Sequence, residues 1–548
     1  MKRNLLCPYG DKCFRLNPIH FKEYSHEHYG CGQPHHPLLH YPTSTERRPE
    51  SQRAAPPPAA PAPQERQPAP AAAATSVPTS AVPSSSFSLC TIESTPMTFK
   101  YIFSLLDSDY RPIAQPTRRP EDFLSVVRPK GKMAAKHAAS APYHIFYTTI
   151  TDSKETHSQS YSITFQEILD RSLGELKCSL QINFMVEIGW LLAQYYFAGY
   201  SEKKLTILYG EDCSDLKHIN KKKPQVDAHY VTMSTPFGKH HTKMMILCYE
   251  DGSLRVVIST ANLYLDDWEN RTQGLWFSPA CPELPADAMP HDGESPTLFK
   301  KCLLRYLNHY HLPNLAFYVE RVKRCDFSHI NVFLVASVPG SHFDLDWGMT
   351  RVGSLLRQHC AVPAEQARAW PLVAQASSIG SYGKEPKSDD DDVHLIVLST
   401  ENVRQSHDNL LGGGCLPYAS DAHAKQPWLN DFLYQWQAKS TARNKAMPHI
   451  KSYTRASNNK AAYYLLTSAN VSKAAWGQLN KGNRALRIMS YEAGVLFLPQ
   501  FVVIKLFLCD FVELHCVGIF LVVATVDCGA QKLQWFGNSV ANLSGTTV

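Results

Sequence analysis

His241-Thr242-Lys243 is followed, 21 residues after its histidine, by Asn262, and His449-Ile450-Lys451 is followed at the same interval by Asn470. Each copy reads as His-x-Lys leading into a strand, a polar turn, a second strand and a run of small residues ending in Ala-Asn. That run is Ser259-Thr260-Ala261-Asn262 in one copy and Thr467-Ser468-Ala469-Asn470 in the other. A chain built this way is expected to fold as two similar halves, each organised around a hairpin. In extended backbone, residues i and i+2 share a face, so each copy aims one imidazole and one ammonium at a common spot. Two such copies facing each other make a phosphate-reading site. The alternation predicts strands over 244–248 and 254–259 around Glu250-Asp251-Gly252, and over 450–454 and 462–466 in the second copy.

The rest of the chain frames these copies. Its 548 residues, 44% hydrophobic, are enough for more than one domain with a sizeable core. Residues 1–35 are dense in Cys, His and aromatics, and 36–140 form a Pro/Ala/Ser-rich linker expected to be largely disordered, with no element assigned between 87 and 140. Residues 141–310 read as the first half, with an apolar helix near 184–196 and a strand at 205–209. Residues 311–499 read as the second half, opening on a strand at 332–336. The mixture of strands and helices predicts an α/β protein of two similar α/β/α halves. The acidic run 388–392 reads as an exposed loop. Residues 500–548 form an atypical hydrophobic tail, broken by Lys505, Asp510, Glu513 and His515. None of its uncharged pieces reaches the ~20 residues of a spanning helix, so no membrane partner is expected.

The net charge of +6 and pI ≈ 8.5 suit a polyanionic partner without demanding one. Fifteen cysteines without a visible leader predict a reducing intracellular compartment. Arg118-Arg119 with Arg128-Pro129-Lys130-Gly131-Lys132 read either as a split nuclear-localisation signal or as solvated surface. The expected location is the nucleus, with the cytoplasm second.

Near the N-terminus, Cys7, Cys13, His20 and His26 are spaced C-x5-C-x6-H-x5-H. Two thiolates and two imidazoles satisfy one tetrahedral structural zinc, and a segment this short needs such a cross-link to fold. His28 stands as a competitor to His26. The residues between the ligands, Cys7-Pro8-Tyr9-Gly10-Asp11-Lys12-Cys13-Phe14-Arg15, resemble the poly(ADP-ribose)-binding zinc finger. That resemblance implies that Tyr9, Phe14 and Arg15 hold adenine and phosphate groups of the polymer, by stacking and by a guanidinium on pyrophosphate.

Cleaving a phosphodiester without a catalytic cofactor takes a nucleophile, an acid for the leaving oxygen and positive charge for the non-bridging oxygens. Two His, two Lys and two Asn meet that list, provided the surroundings push the two imidazole pKa values apart. Pro236-Phe237-Gly238-Lys239-His240-His241-Thr242-Lys243 with Thr272-Gln273-Gly274-Leu275-Trp276 resembles the first signature of the tyrosyl-DNA phosphodiesterases of the phospholipase D superfamily. Met447-Pro448-His449-Ile450-Lys451 with Thr467-Ser468-Ala469-Asn470 resembles the second. Lipid-cleaving members carry Asp where Asn262 and Asn470 stand, which points away from phospholipid.

The resemblance implies a monomeric enzyme that acts on DNA 3′ ends, single-stranded or nicked, blocked by a topoisomerase I-derived peptide. His241 would be the nucleophile and His449 the proton donor and acceptor, with Lys243, Lys451, Asn262 and Asn470 on the phosphoryl oxygens and Glu492 and Gln273 orienting the imidazoles. Phe237, Phe184, Ser377, Ser378, Ser381, Ser472 and Lys473 match positions that contact DNA, with Phe184 standing where the family has tyrosine. The resemblance is expected to stop at 499, which leaves a rival reading of an impaired enzyme serving as a polymer-binding adaptor. A phospholipase D-type nuclease is the other rival.

Overall fold

The structure, a computed structural model, describes residues 124–502 apart from 290, 386–392, 398–399, 410–417, 419, 458–459, 481 and 483–484, together with Leu5–Leu6 and Tyr24–Ser25. The zinc-ligand candidates Cys7, Cys13, His20 and His26, the polymer-contact candidates Tyr9, Phe14 and Arg15, the acidic run 388–392 and the tail beyond 502 lie outside the described residues. Leu5 and Leu6 pair in parallel with Tyr24 and Ser25, the residues that precede Cys7 and His26 in the chain.

The first half is an eight-stranded sheet made of β1 (Ile145–Thr148), β2 (Ser162–Ile163), β3 (Leu176–Asn183), β4 (Lys204–Tyr209), β5 (Val226–Tyr230), β6 (Met244–Tyr249), β7 (Leu254–Ser259) and β8 (Gly274–Phe277). Its order is β2-β1-β8-β7-β6-β3-β4-β5. The second half is a seven-stranded sheet of β9 (Phe333–Ser337), β10 (Leu372–Gln375), β11 (Val393–Val397), β12 (Leu433–Gln435), β13 (Ser452–Ser457), β14 (Lys460–Thr467) and β15 (Glu492–Phe497), in the order β9-β15-β14-β13-β10-β11-β12. From β1 and β9 onward the two orders match strand for strand. The directions match too: antiparallel as far as β3 and β10, then parallel to the edge. The duplication read from the His-x-Lys copies is therefore a duplication of the whole sheet.

Strand periodicity explains the layers. Ile145 and Tyr147 of β1 face a core shared with Leu334 and Ala336 of β9, whereas Phe146 faces the outer side of the first sheet and Phe333 and Val335 the outer side of the second. Helix α2 (Ile188–Ala198) covers the first outer face through Ile188, Trp190, Leu191 and Tyr195, and α6 (Gly348–His359) covers the second through Leu355. Between the sheets lie α4 (Phe299–Asn308) and α5 (Ala316–Lys323), contributing Leu303, Tyr306, Tyr318 and Val322 to the shared core. Gly274, at the head of β8, sits where the halves meet. A Cβ there would stand 2.6 Å from Ile450 Cδ1 and 2.9 Å from Leu466 Cδ1, so a larger residue would have to push those methyl groups aside.

Two expected boundaries move. Helix α1 (Met133–Ala139) falls inside the stretch expected to be linker, yet Met133 and His137 are buried. His137 Nε2 donates to the Phe277 carbonyl at 2.8 Å, and its ring stacks on His144 at 4.5 Å. The segment carries one large apolar residue and no apolar stripe, so only its contacts betray it. Just before it, Arg128 donates to Thr149 Oγ1 at 3.2 Å and pairs with Glu167, and Lys130 donates to the Phe197 carbonyl, so this basic cluster packs on the first half. At the other end, Tyr318 Oη donates to the Ser179 carbonyl at 2.7 Å, so the helix pair stays with the first sheet past residue 310. Among the described residues no helix is long and apolar enough to cross a membrane, and the seven described cysteines are free thiols.

Arg443, fully buried, pins the second half to the first. Its guanidinium donates to Gln159 Oε1 at 2.7 Å, Ser162 Oγ at 2.6 Å and the Thr148 carbonyl at 3.0 Å, and it lies 5.6 Å from the ring centres of Tyr147 and Tyr161. Burial pulls its pKa down to about 10. Replacing it strands several buried acceptors, each worth about 1–3 kcal/mol. Arg443→Met should therefore destabilise the protein by about 3 kcal/mol or more in a denaturant melt; an unchanged midpoint would refute the seam role.

Candidate active site

Each His-x-Lys lies in extended chain immediately before its strand, not within it. The carbonyl of Lys243 accepts from Ser259 N–H at 2.9 Å and that of Lys451 from Thr467 N–H at 3.1 Å, which register each segment on its own hairpin. The histidines are held by the opposite half. His241 N–H donates to the Tyr491 carbonyl and His449 N–H to the Thr272 carbonyl, both at 3.0 Å. Arg271–Thr272 pairs in parallel with Met447–Pro448, and His240 bridges Tyr491 in the same sense. The residues following those two carbonyls are Gln273 and Glu492, so the pairing that fixes each histidine's backbone also delivers the group that orients its ring.

His241 Nδ1 donates to Glu492 Oε2 at 2.9 Å, and the same oxygen accepts from Ser468 Oγ at 2.5 Å. With Nδ1 carrying the proton toward a carboxylate, Nε2 presents a lone pair. His449 Nδ1 meets an amide instead: Gln273 Nε2 is 3.0 Å away and Oε1 3.2 Å, while Oε1 also accepts from Thr260 Oγ1 at 2.8 Å. That amide serves a neutral ring as donor and a protonated ring as acceptor. Thr260 and Ser468 occupy the same place in the two small-residue runs. Neither hydroxyl's role is legible in the sequence, because each depends on a partner brought by the fold.

Lys243 and Lys451 are buried, and each Nζ donates to the carbonyl of the histidine two residues earlier, at 2.9 Å for Lys243. Asn470 Oδ1 accepts from Ser377 N, Ser377 Oγ and Ser378 N, each at 3.1 Å, which leaves its Nδ2 as the donor. Asn262 is held differently, by Asp267 Oδ2 on both its backbone N (2.7 Å) and its Nδ2 (2.9 Å).

Burial lowers the pKa of His241, with Glu492 working against it. Burial also drives His449 well below the ordinary histidine value, and Lys451, Lys243, Arg271 and His241 push it further down. The surroundings do treat the two imidazoles unequally: both values fall, and His449 falls further, with an amide rather than a carboxylate touching its ring. Burial works to raise Glu492, but His241, Ser468 and Lys243 outweigh it and hold the carboxyl below its usual value. Among the described residues no group of three or more His, Cys, Asp or Glu is arranged to hold a metal ion.

The DNA-contact candidates are differently placed. Phe184 lies beside His241 and Lys243, its ring centre 5.5 Å from that of His241 and 5.6 Å from Lys243 Nζ. Phe237 is 76% exposed, just ahead of the first motif. Ser381 is exposed on the strip that begins at Ser377. Ser472 accepts from Ala475 N–H and caps α7 (Lys473–Trp476), and Lys473 Nζ sits 5.6 Å over the Tyr382 ring. Sequence reading missed the braces behind the first motif: His240 Nε2 to Tyr310 Oη (2.9 Å), Tyr310 to Tyr306 (2.7 Å) and Tyr306 to Thr242 Oγ1 (2.6 Å).

The sequence profile of tyrosyl-DNA phosphodiesterases matches residues 144–542. The chain belongs to the tyrosyl-DNA phosphodiesterase family. The match continues beyond 499, where sequence reading ended the resemblance, and with that end goes the ground for treating the chain as an impaired enzyme. A PBZ domain profile matches residues 6–33, so a zinc finger stands before the catalytic region; its Cys7, Cys13, His20 and His26 form a donor set that suits one structural zinc. The chain is 45% identical to tyrosyl-DNA phosphodiesterase 1 of Drosophila melanogaster over 90% of its own length and 92% of that protein's. It is 32% identical to a probable tyrosyl-DNA phosphodiesterase of Caenorhabditis elegans, over 69% and 88%. The crystal structure of the yeast tyrosyl-DNA phosphodiesterase superposes with a TM-score of 0.52 at 21% identity, covering 66% of this chain and 90% of that one, and shares the fold.

Lys243 gives the site a pH dependence. Burial lowers its pKa to about 8, against the pull of Glu492 and Asp267. The ammonium is charged below that value and neutral above it, so kcat/KM should fall as pH rises through about 8. Lys243→Arg, which cannot lose its charge in this range, should move that alkaline limb upward even as it slows the reaction. A wild-type profile flat well past that pH would remove Lys243 as the titrating group.

Proposed function

We propose that this chain hydrolyses the bond between a DNA 3′-phosphate and a tyrosine of a trapped topoisomerase I peptide, together with related 3′-blocking groups, in DNA repair. What carries the reading is the unequal treatment of two equivalent histidines, one on a carboxylate and the other on an amide. His241 Nε2 attacks phosphorus, forming a phosphorus–nitrogen bond as the bond to the phenolic oxygen breaks, and protonated His449 gives that oxygen its proton. Neutral His449 then takes a proton from water, whose oxygen attacks phosphorus and releases His241 and a 3′-phosphate. Splitting one displacement in two is ordinary covalent catalysis. Lys243, Lys451, Asn262 and Asn470 bind the non-bridging oxygens, and the phosphodiester's own charge opposes the lowering of His449.

Phe237 offers a ring for base stacking, and the Ser377, Ser378, Ser381, Ser472 and Lys473 strip offers hydroxyls and an ammonium to phosphates without reading sequence. The PBZ finger binds poly(ADP-ribose) and, being joined to the enzyme, raises its local concentration at polymer-marked breaks. The enzyme works as a monomer, without a membrane partner. It acts in the nucleus, where its substrate is, with the cytoplasm second.

A 3′-phosphotyrosyl oligonucleotide incubated with excess chelator should still yield a 3′-phosphate, while polymer binding by the same sample is lost with the zinc. His241→Ala should form no covalent adduct, and His449→Ala should lower turnover about 10²–10⁴-fold. Internal cutting of the oligonucleotide, or turnover unaffected by either change, would reject this function.

A further inference from the structure

Beyond the asparagines the two copies keep the spacing to a tryptophan but differ at the residues between, and one of those differences lies against the site. Asn262 and Asn470 are each followed six residues later by a tryptophan, Trp268 and Trp476, but the residue before it is Asp267 in the first copy and Ala475 in the second. Asp267 sits on the short helix α3 (Leu265–Glu269) with its side chain wholly buried. Besides its two bonds to Asn262, its Oδ1 accepts from Arg271 Nη1 at 2.8 Å, and its Oδ2 lies 3.5 Å from His449 Nδ1. Because each histidine is held by the opposite half, this extra carboxylate faces the acid His449, while Ala475 occupies the corresponding place in the other copy.

Resting on the reaction proposed above, we infer that Asp267 is a positioning residue that lets His449 hold its proton: it supplies the countercharge for the imidazolium and at the same time locks Asn262. A neutral imidazole is a poor acid for a phenolic leaving group, so His449 must carry protons on both nitrogens when the bond to tyrosine breaks. The charged groups around it are Lys451, Lys243, Arg271 and His241, all cationic or able to become so. Glu492, the other carboxylate of the site, is spent on His241. Gln273 can accept the Nδ1 proton through Oε1 but brings no charge. Asp267 does, and its sharing with Arg271 keeps it from holding the proton too tightly.

The test compares two leaving groups on one 3′-phosphodiester: tyrosyl, which needs a proton as it departs, and 4-nitrophenyl, which needs far less. Asp267→Asn should slow the tyrosyl substrate about tenfold or more and the 4-nitrophenyl substrate by less than about threefold. The ratio of the two rates is independent of how much protein folds. Arg271→Gln, which frees Asp267 of its guanidinium, should move the ratio the opposite way. An equal loss on both substrates, or none, would overturn the inference by leaving Asp267 a structural anchor of Asn262. Failure of the wild-type protein on the tyrosyl substrate would instead reject the function itself.

Discussion

Everything in the site depends on two short parallel pairings across the seam between the halves, Arg271–Thr272 with Met447–Pro448 and His240 with Tyr491. Had each histidine been oriented from within its own half, a small slip of one sheet on the other would separate two complete but idle half-sites. Here each half owns one histidine and the other's orienting group, so the catalytic rings are held only when the halves are in register. The tight approach at Gly274 and the shared core of β1, β9, α4 and α5 are consequences of that demand. The second-row chain from His240 through Tyr310 and Tyr306 to Thr242 extends it, fixing the residues on either side of His241.

Burying two histidines and two lysines together raises an electrostatic problem that the fold answers unequally. Coulomb repulsion between cations in a dry site is severe, and the described carboxylates in contact with these groups are Glu492 and Asp267. One sits against the ring of His241, where it fixes a proton on Nδ1 and frees Nε2. The other stands a step back from His449, beyond an amide that tolerates either protonation state. The duplication supplies two equal histidines, and these two carboxylates, which occupy different positions in their halves, make them unequal.

The repeated His-x-Lys-to-Asn interval gave away the two halves and the hairpins because an exact spacing survives in sequence; the strand expected over 254–259 appears with those bounds. What stayed hidden is instructive. The strand β3, Leu176–Asn183, was not assigned from sequence, and the alternation of Cys178, Leu180 and Ile182 with Ser179, Gln181 and Asn183 would make the polar three look exposed. All three are buried, and each side chain has an internal partner: Ser179 and Gln181 meet Tyr195 Oη at 2.6 and 3.0 Å, and Asn183 Nδ2 donates to the Ala261 carbonyl at 3.2 Å. Hydropathy alternation marks such a strand but misjudges its polar face, which is buried because its side chains find partners on other elements. Gln273 and Glu492 came from family resemblance rather than pattern, since an orienting role depends on which chain lies across the seam. Asp267 could not be singled out from sequence, because Asp266 and Glu269 also stand against Ala474 and Gly477 in the second copy and only the fold shows which carboxylate reaches His449.

The clamp around Arg443 shows why precision at His449 need not come from the site alone. Ser153 Oγ donates to the Ala442 carbonyl at 2.5 Å and Gln159 Nε2 to the Thr441 carbonyl at 3.0 Å, flanking the guanidinium that reaches Thr148 and Ser162. Four residues beyond Arg443 the chain enters the Met447–Pro448 pairing and then reaches His449. The second histidine is thus fastened to the first half twice in quick succession, upstream by a buried guanidinium and then by backbone pairing. With so little chain between two anchors, its ring has few ways to drift. The proton transfer proposed for His449 benefits more from that restraint than from any single added contact, because misplacement by about 1 Å costs on the order of a hundredfold in rate.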